Sequence, residues 1–220
     1  MNTRRFAIVP AILAHDAREF RAKLHTIEHA APLVQIDVMD GQFVPNTTWA
    51  DPRVVGRCVT PTTFEVHLMV REPHAAVMAW GRLAHVRRII VHMESTKNLP
   101  ELLNAVRTTR KEVGLAVNPA TPLRRILPHF AKVDVLLIMA NAPGFSGKPF
   151  RSATLRRIAA VRRRFPGLTI GVDIGVNART IPRLVVTGAS YGAAASTIFG
   201  ASDPVAAYHD LVRIARRSPR

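Results

Sequence analysis

The chain has 220 residues, 48% of them hydrophobic, enough for one large domain or two small ones around a real core, which excludes a disordered polymer. Its 31 Lys and Arg against 15 Asp and Glu leave a formal charge of +16, compatible with an anionic ligand, surface or polymer. Cys58 is the single cysteine, so no internal disulfide forms; no apolar run approaches the roughly 18 residues of a membrane span, and a cytoplasmic protein is expected.

In chain order, Arg4 and Arg5 precede the apolar run FAIVPAIL (6–13), which ends too soon before Asp16 for a signal peptide and reads as a first strand. Asp16 then opens an amphipathic stretch, DAREFRAKLHTIEHA, as a helix-capping residue. LVQIDV (33–38) is the second strand, followed by a long irregular link holding Trp49, a candidate lid residue, and one short helix. TFEVHL (63–68), VRRIIVH (86–92), VGLAV (113–117), VDVLLIM (133–139), LTIGVD (168–173) and SYGAAA (190–195) complete eight strands. Helices are expected at PHAAVMAWGRLA, LPELLNAVRTT, TPLRRILPHF with Thr121 as its cap, ATLRRIAAVRRRF, NARTIPRLVVTG and DPVAAYHDLVRIARR. Eight strand–helix units predict a parallel sheet closed as a TIM (β/α)8 barrel, a single domain over 1–220. An open doubly wound sheet lacks its mark, because no G-x-G-x-x-G follows the first strand. The arginines of 155–165 and 211–220 fill the polar faces of helices without an interleaved stacking platform, so they read as solvated surface rather than a nucleic-acid contact.

In such a barrel chemistry gathers at the C-terminal strand ends. The polar residues there are Gln35 and Asp37, His67, His92 and Glu94, Asn118 and Asp173. Gln35 and Asp37 are two apart and share a face, so facing inward they meet His67 and Asp173 across the barrel mouth. Two carboxylates, an imidazole and an amide suit a divalent cation, or equally two acid/base groups flanking a substrate. NAPGFSGKPF (141–150), with Gly144, Ser146 and Gly147, forms a flexible loop able to turn N–H groups toward an anion. DIGVN (173–177) and ASTIFG (195–200) follow strands seven and eight, where barrels often hold phosphate, and Ser196 is expected to cap a short helix there.

From VPAIL through IDVMDGQFVPN, VHLMV, NPATP, LIMANAPGFSGKPF and VDIGV to STIFG, the chain resembles the ribulose-phosphate 3-epimerases almost end to end. The resemblance implies a metal-assisted inversion of C3 in a ketose 5-phosphate, with Asp37 and Asp173 as the two acid/base residues. It implies one divalent ion (zinc, iron, manganese or cobalt) on Asp37, His67 and Asp173, with Gln35 a poorer fourth ligand where the family has histidine. His67, Gly144, Ser146, Gly147, Gly175 and Ser196 match its substrate- and phosphate-binding positions, and Met39, Met69 and Met139 its apolar walls. A small phosphorylated sugar is the partner so implied; homo-oligomerisation stays open.

Five departures gather near this site. Ala11 replaces a serine, Gln35 and Gln42 replace histidines, and Ile174 and Ala195 replace glycines of the family pattern. The readings carried forward are an epimerase of a ketose phosphate, a catalytically impaired relative that binds a sugar phosphate or a protein partner, and a nucleic-acid contact.

Overall fold

A computed structural model describes residues 5–219. Arg4, Arg220 and the outermost ends of the 1–220 domain assignment lie outside the described residues. Eight parallel strands close into a barrel in sequence order: β1 (Ala7–Ile12), β2 (Leu33–Met39), β3 (Thr63–Met69), β4 (Val86–His92), β5 (Glu112–Val117), β6 (Val135–Met139), β7 (Thr169–Asp173) and β8 (Tyr191–Ala194). The eight-stranded barrel predicted from the alternating pattern is therefore the fold. Around it run α1 (Ala17–Ile27), α2 (Pro52–Val55), α3 (His74–Gly81), α4 (Leu99–Thr108), α5 (Ala153–Arg164), α6 (Ile181–Thr187), α7 (Ser196–Phe199) and α8 (Pro204–Arg217).

The period of two decides which side of each strand faces where. On β2, Val34 and Ile36 pack outward beneath the helices with Phe20, Phe64, Trp80 and Leu102. Leu33 points inward against a small apolar cluster of Val9, Ile90, Ala116, Val135, Leu137, Met139 and Tyr191. Gln35 and Asp37 share that inward face. The register sets Asp37 beside His67 and Gln35 beside Ala11; Asp173 lies beside Met139 and Ala193.

Helix entry follows the capping residues. The Asp16 carboxylate accepts the Glu19 N–H at 2.7 Å, and Asp203 accepts that of Ala206 at 2.9 Å. Four expectations are corrected. TPLRRILPHF forms two 3-10 turns, Leu123–Arg125 and Leu127–Lys132, because Pro128 lacks the N–H an α-helix needs and its ring clashes with the preceding turn. Thr121 consequently caps no helix; its hydroxyl donates to Glu94. α6 starts at Ile181 rather than 177, since the Thr180 hydroxyl folds back onto the Gly175 carbonyl at 2.8 Å. Trp49 packs against the barrel wall, away from the mouth: its ring lies 5.5 Å from that of Phe20 and its backbone N–H donates to the Ala14 carbonyl, leaving it partly buried against α1. Among the described residues no helix is long and apolar enough to cross a membrane.

Candidate active site

The barrel mouth brings four sequence-picked side chains from three strands into one knot. Gln35 Nε2 donates to Asp37 Oδ1 at 2.8 Å and to Asp173 Oδ2 at 3.0 Å. His67 Nδ1 lies 3.0 Å from Asp37 Oδ1 and 3.4 Å from Asp173 Oδ2. All four are buried, and β2 and β7 are separated in the barrel by β1 and β8. The long Gln35 side chain spans that gap; Ala11, its neighbour on β1, contributes no hydroxyl.

Burial sets the charges. It raises the Asp37 pKa, and the charge of Asp173 adds to this, against hydrogen bonds from His67 and Gln35. Burial disfavours a charged His67, yet bonds to Asp173 and Asp37 and their negative charge outweigh it and push its pKa up to about 9. His67 Nε2 contacts His92 Nε2 at 2.9 Å. His92 is pushed down to about 4, chiefly by burial, with the charge of His67 adding against the pull of Glu94. The two imidazoles are within hydrogen-bond range, and His92 Nδ1 stands 3.4 Å from Glu94 Oε2. Glu94 is held in turn by the Asn118 N–H at 3.0 Å and by Thr121. His92 and Glu94 thus support His67 from behind, whereas the Asn118 side chain takes no part in the knot.

Asp37 and Asp173 open onto a cleft of about 150 Å³ walled by Met39, Met69, Met139 and Ile174. Gly144, Ser146, Gly147, Gly175 and Ser196 all line it, as the sequence placed them. A Cβ on Gly147 would stand 3.9 Å from Ser196 Oγ, so the loops after β6 and β8 meet there. His67 is fully buried among the acids and does not line the cleft. Ser196 is the first residue of α7 and caps nothing; Ala195 holds the cap position and makes no side-chain bond.

Two backbone features shape the phosphate-matching end. Gly175 has φ +72°, and a Cβ there would come within 2.7 Å of Phe150. Ile174 just before it has φ 74°, a left-handed conformation rare for a β-branched residue. Its N–H binds Asp173 Oδ1 at 2.7 Å, which ties the strained turn to an acid of the site.

Some site residues escaped the sequence reading. Lys148 lines the cleft, its ammonium tied to the Ala142 carbonyl at 2.9 Å; the loop's basic residue was the available signal. Asn46 donates to the Gly144 carbonyl at 2.6 Å and joins the β2 loop to the β6 loop. Asp40 ties down its own loop, accepting from the N–H groups of Gln42, Phe43 and Arg71. Gln42 is exposed on that loop.

The donor set fits a divalent ion. Ligand atoms of Asp37, His67 and Asp173 all lie within 4.8 Å of one another, and carboxylate oxygens with an imidazole nitrogen are ligands such ions accept. Gln35 turns Nε2 toward them and leaves Oε1 buried without a hydrogen-bond partner, so it fits as a fourth ligand once its amide is turned over.

The sequence profile of the ribulose-phosphate 3 epimerase family matches residues 7–199. The chain belongs to this family. Ribulose-phosphate 3-epimerases similar to it include that of Bacillus subtilis, 34% identical with 89% of this chain and 93% of the relative covered. That of Mycobacterium tuberculosis is 35% identical over 94% and 91%. Among solved structures, KGPDC from Streptococcus mutans in complex with D-R5P superposes with a TM-score of 0.77 at 10% identity, covering 97% of this chain and 98% of the other. The 3-hexulose-6-phosphate synthase of Salmonella typhimurium gives 0.75 at 12% identity, covering 97% and 100%. At such identities these structures speak to the barrel alone. The family membership makes the chain one of the isomerases named for phosphorylated carbohydrates.

Proposed function

We propose that the chain inverts C3 of a ketose phosphate, with ribulose 5-phosphate and xylulose 5-phosphate the first pair to test. The observation that carries this reading is the convergence of Asp37 and Asp173, from β2 and β7, on one amide nitrogen and one cleft. A C3 proton beside a carbonyl is too weakly acidic for a carboxylate unless the developing negative charge is stabilised. A divalent ion held by Asp37, His67 and Asp173 supplies Lewis acidity toward the sugar oxygens.

One aspartate removes the proton from its face of the sugar and the other returns one to the opposite face. Asp37 and Asp173 exchange these parts between the forward and the reverse reaction. His67 Nδ1 stands within 3.4 Å of both acids, so as a neutral imidazole it would hold the ion beside them. Met39, Met69 and Met139 wall the cleft with apolar surface and exclude water from the exposed carbanion. Ser146, Gly147, Gly175 and Ser196 would receive the phosphate, with Lys148 supplying charge.

Purified protein with manganese, zinc, iron or cobalt is tested in deuterium oxide against pentulose and hexulose phosphates, following C3 by proton NMR. Deuterium at C3 with epimer formation is expected; no exchange with any pair overturns the reading. The strained Ile174 in the cleft wall favours a second one, a relative that binds sugar phosphate without turnover. Saturable binding of a ketose phosphate with no C3 exchange distinguishes it.

A further inference from the structure

Gln35 is the one uncharged member of the acid–imidazole knot, and its amide has two unlike ends. Nε2 reaches both carboxylates, at 2.8 and 3.0 Å, and lies 3.5 Å from His67 Nδ1. An amide nitrogen has two hydrogens, so this orientation spends one on each acid. The other end, Oε1, is buried with no hydrogen-bond partner. Ionised carboxylates only accept, so an amide turned the other way would set Oε1 against two acceptors and lose both bonds. A cation reverses this preference, because it is bound by oxygen and repelled by an N–H.

We propose that Gln35 is an amide switch: with Nε2 inward it bridges Asp37 and Asp173 and organises them without an ion, and a divalent ion binds only when the amide turns over to present Oε1. The two acids then stay paired in the ion-free protein, and ion binding is weakened by the two bridging bonds it must break. This rests on the same acid pair as the proposed epimerisation, but its readouts need no turnover, so either can fail alone.

The test uses the full chain, stripped with a chelator, and zinc as the probe. In selectively labelled protein the Gln35 side-chain NH2 pair is expected as two distinct, exchange-protected proton signals that shift as zinc saturates the site. Calorimetry is expected to show zinc binding on the order of 100-fold tighter in Gln35→His, where a lone-pair donor replaces the amide. Chelation is expected to leave the wild-type melting temperature nearly unchanged and to lower that of Gln35→His. Wild-type protein that keeps stoichiometric zinc through the chelator, or Gln35 amide protons that exchange freely without zinc, overturns the proposal. The NMR measurement uses only the unaltered chain, so a misfolded variant leaves the test intact.

Discussion

The barrel buries two polar clusters, and they are built on opposite terms. Low in the interior, Glu65 on β3 meets Arg88 on β4 at 2.6 Å. Arg88 also reaches Glu112 at 2.7 Å and lies over the Tyr191 ring. There a guanidinium answers two carboxylates directly, although Glu65 Oε1 stays buried without a hydrogen-bond partner and Arg88, Glu112 and Tyr191 line a groove at that end of the barrel. At the mouth, two carboxylates share one imidazole and one amide, and both acids reach a cleft. Charges placed at the floor each face an opposite charge within bonding distance. Charges buried for chemistry keep acceptor capacity turned toward a space where something else can bind.

The sharpest way to break this contrast is at the acids. Asp37→Asn and Asp173→Asn are each expected to lower kcat/KM for epimerisation by about 10²–10⁴-fold, the usual worth of a positioned acid or base, with a smaller loss in urea unfolding than at the floor. The floor behaves inversely. Arg88→Leu strands the buried Glu65 carboxylate and is expected to cost about 3–5 kcal/mol in urea unfolding, much of it recovered in Glu65→Leu/Arg88→Leu. A comparable stability loss in the aspartate variants would erase the distinction.

A third prediction concerns pH, in protein freed of divalent ions. His67 is raised from 6.5 to about 9, so its contribution is complete below 6.5 and lost as pH climbs through 9. His92 is lowered from 6.5 to about 4; the unfolded chain takes up a proton that the folded one refuses, so stability falls as pH drops from 6.5 toward 4. The pair's contribution thus peaks near 6.5 and declines on either side, on the order of 3 kcal/mol. Melting temperatures across this range check it, and His67→Gln is expected to flatten the alkaline limb. The smallest effect lies in the strained turn. Ile174→Gly is expected to relieve about 1 kcal/mol of backbone strain, raising the melting temperature by about 2–4 °C, and to open the cleft to phosphate.

Much of this was legible in the chain itself. Eight apolar runs alternating with amphipathic ones leave little choice but a closed parallel barrel, and the two-residue spacing of Gln35 and Asp37 puts them on one face. The strand-end rule then draws in His67 and Asp173. Local pattern failed where a single residue overrode it: Pro128 broke a helix that the apolar spacing favoured, and Trp49, a candidate lid residue, packs partly buried on Phe20. The floor cluster was invisible because TFEVHL carries one charge and VRRIIVH two amid apolar neighbours, and nothing in either segment says that Glu65 and Arg88 meet.

Periodicity is a local property, so the amino-acid order alone determined the strands, the inward faces and the identities of the two acids. Which end of the Gln35 amide faces those acids, which acids His67 meets, and that Ile174 is held at φ 74° were decided only by closure of the barrel. The reason is that hydrogen bonding and burial depend on distances across the barrel, between residues as far apart in the chain as Gln35 and Asp173, and spacing along one strand cannot supply them.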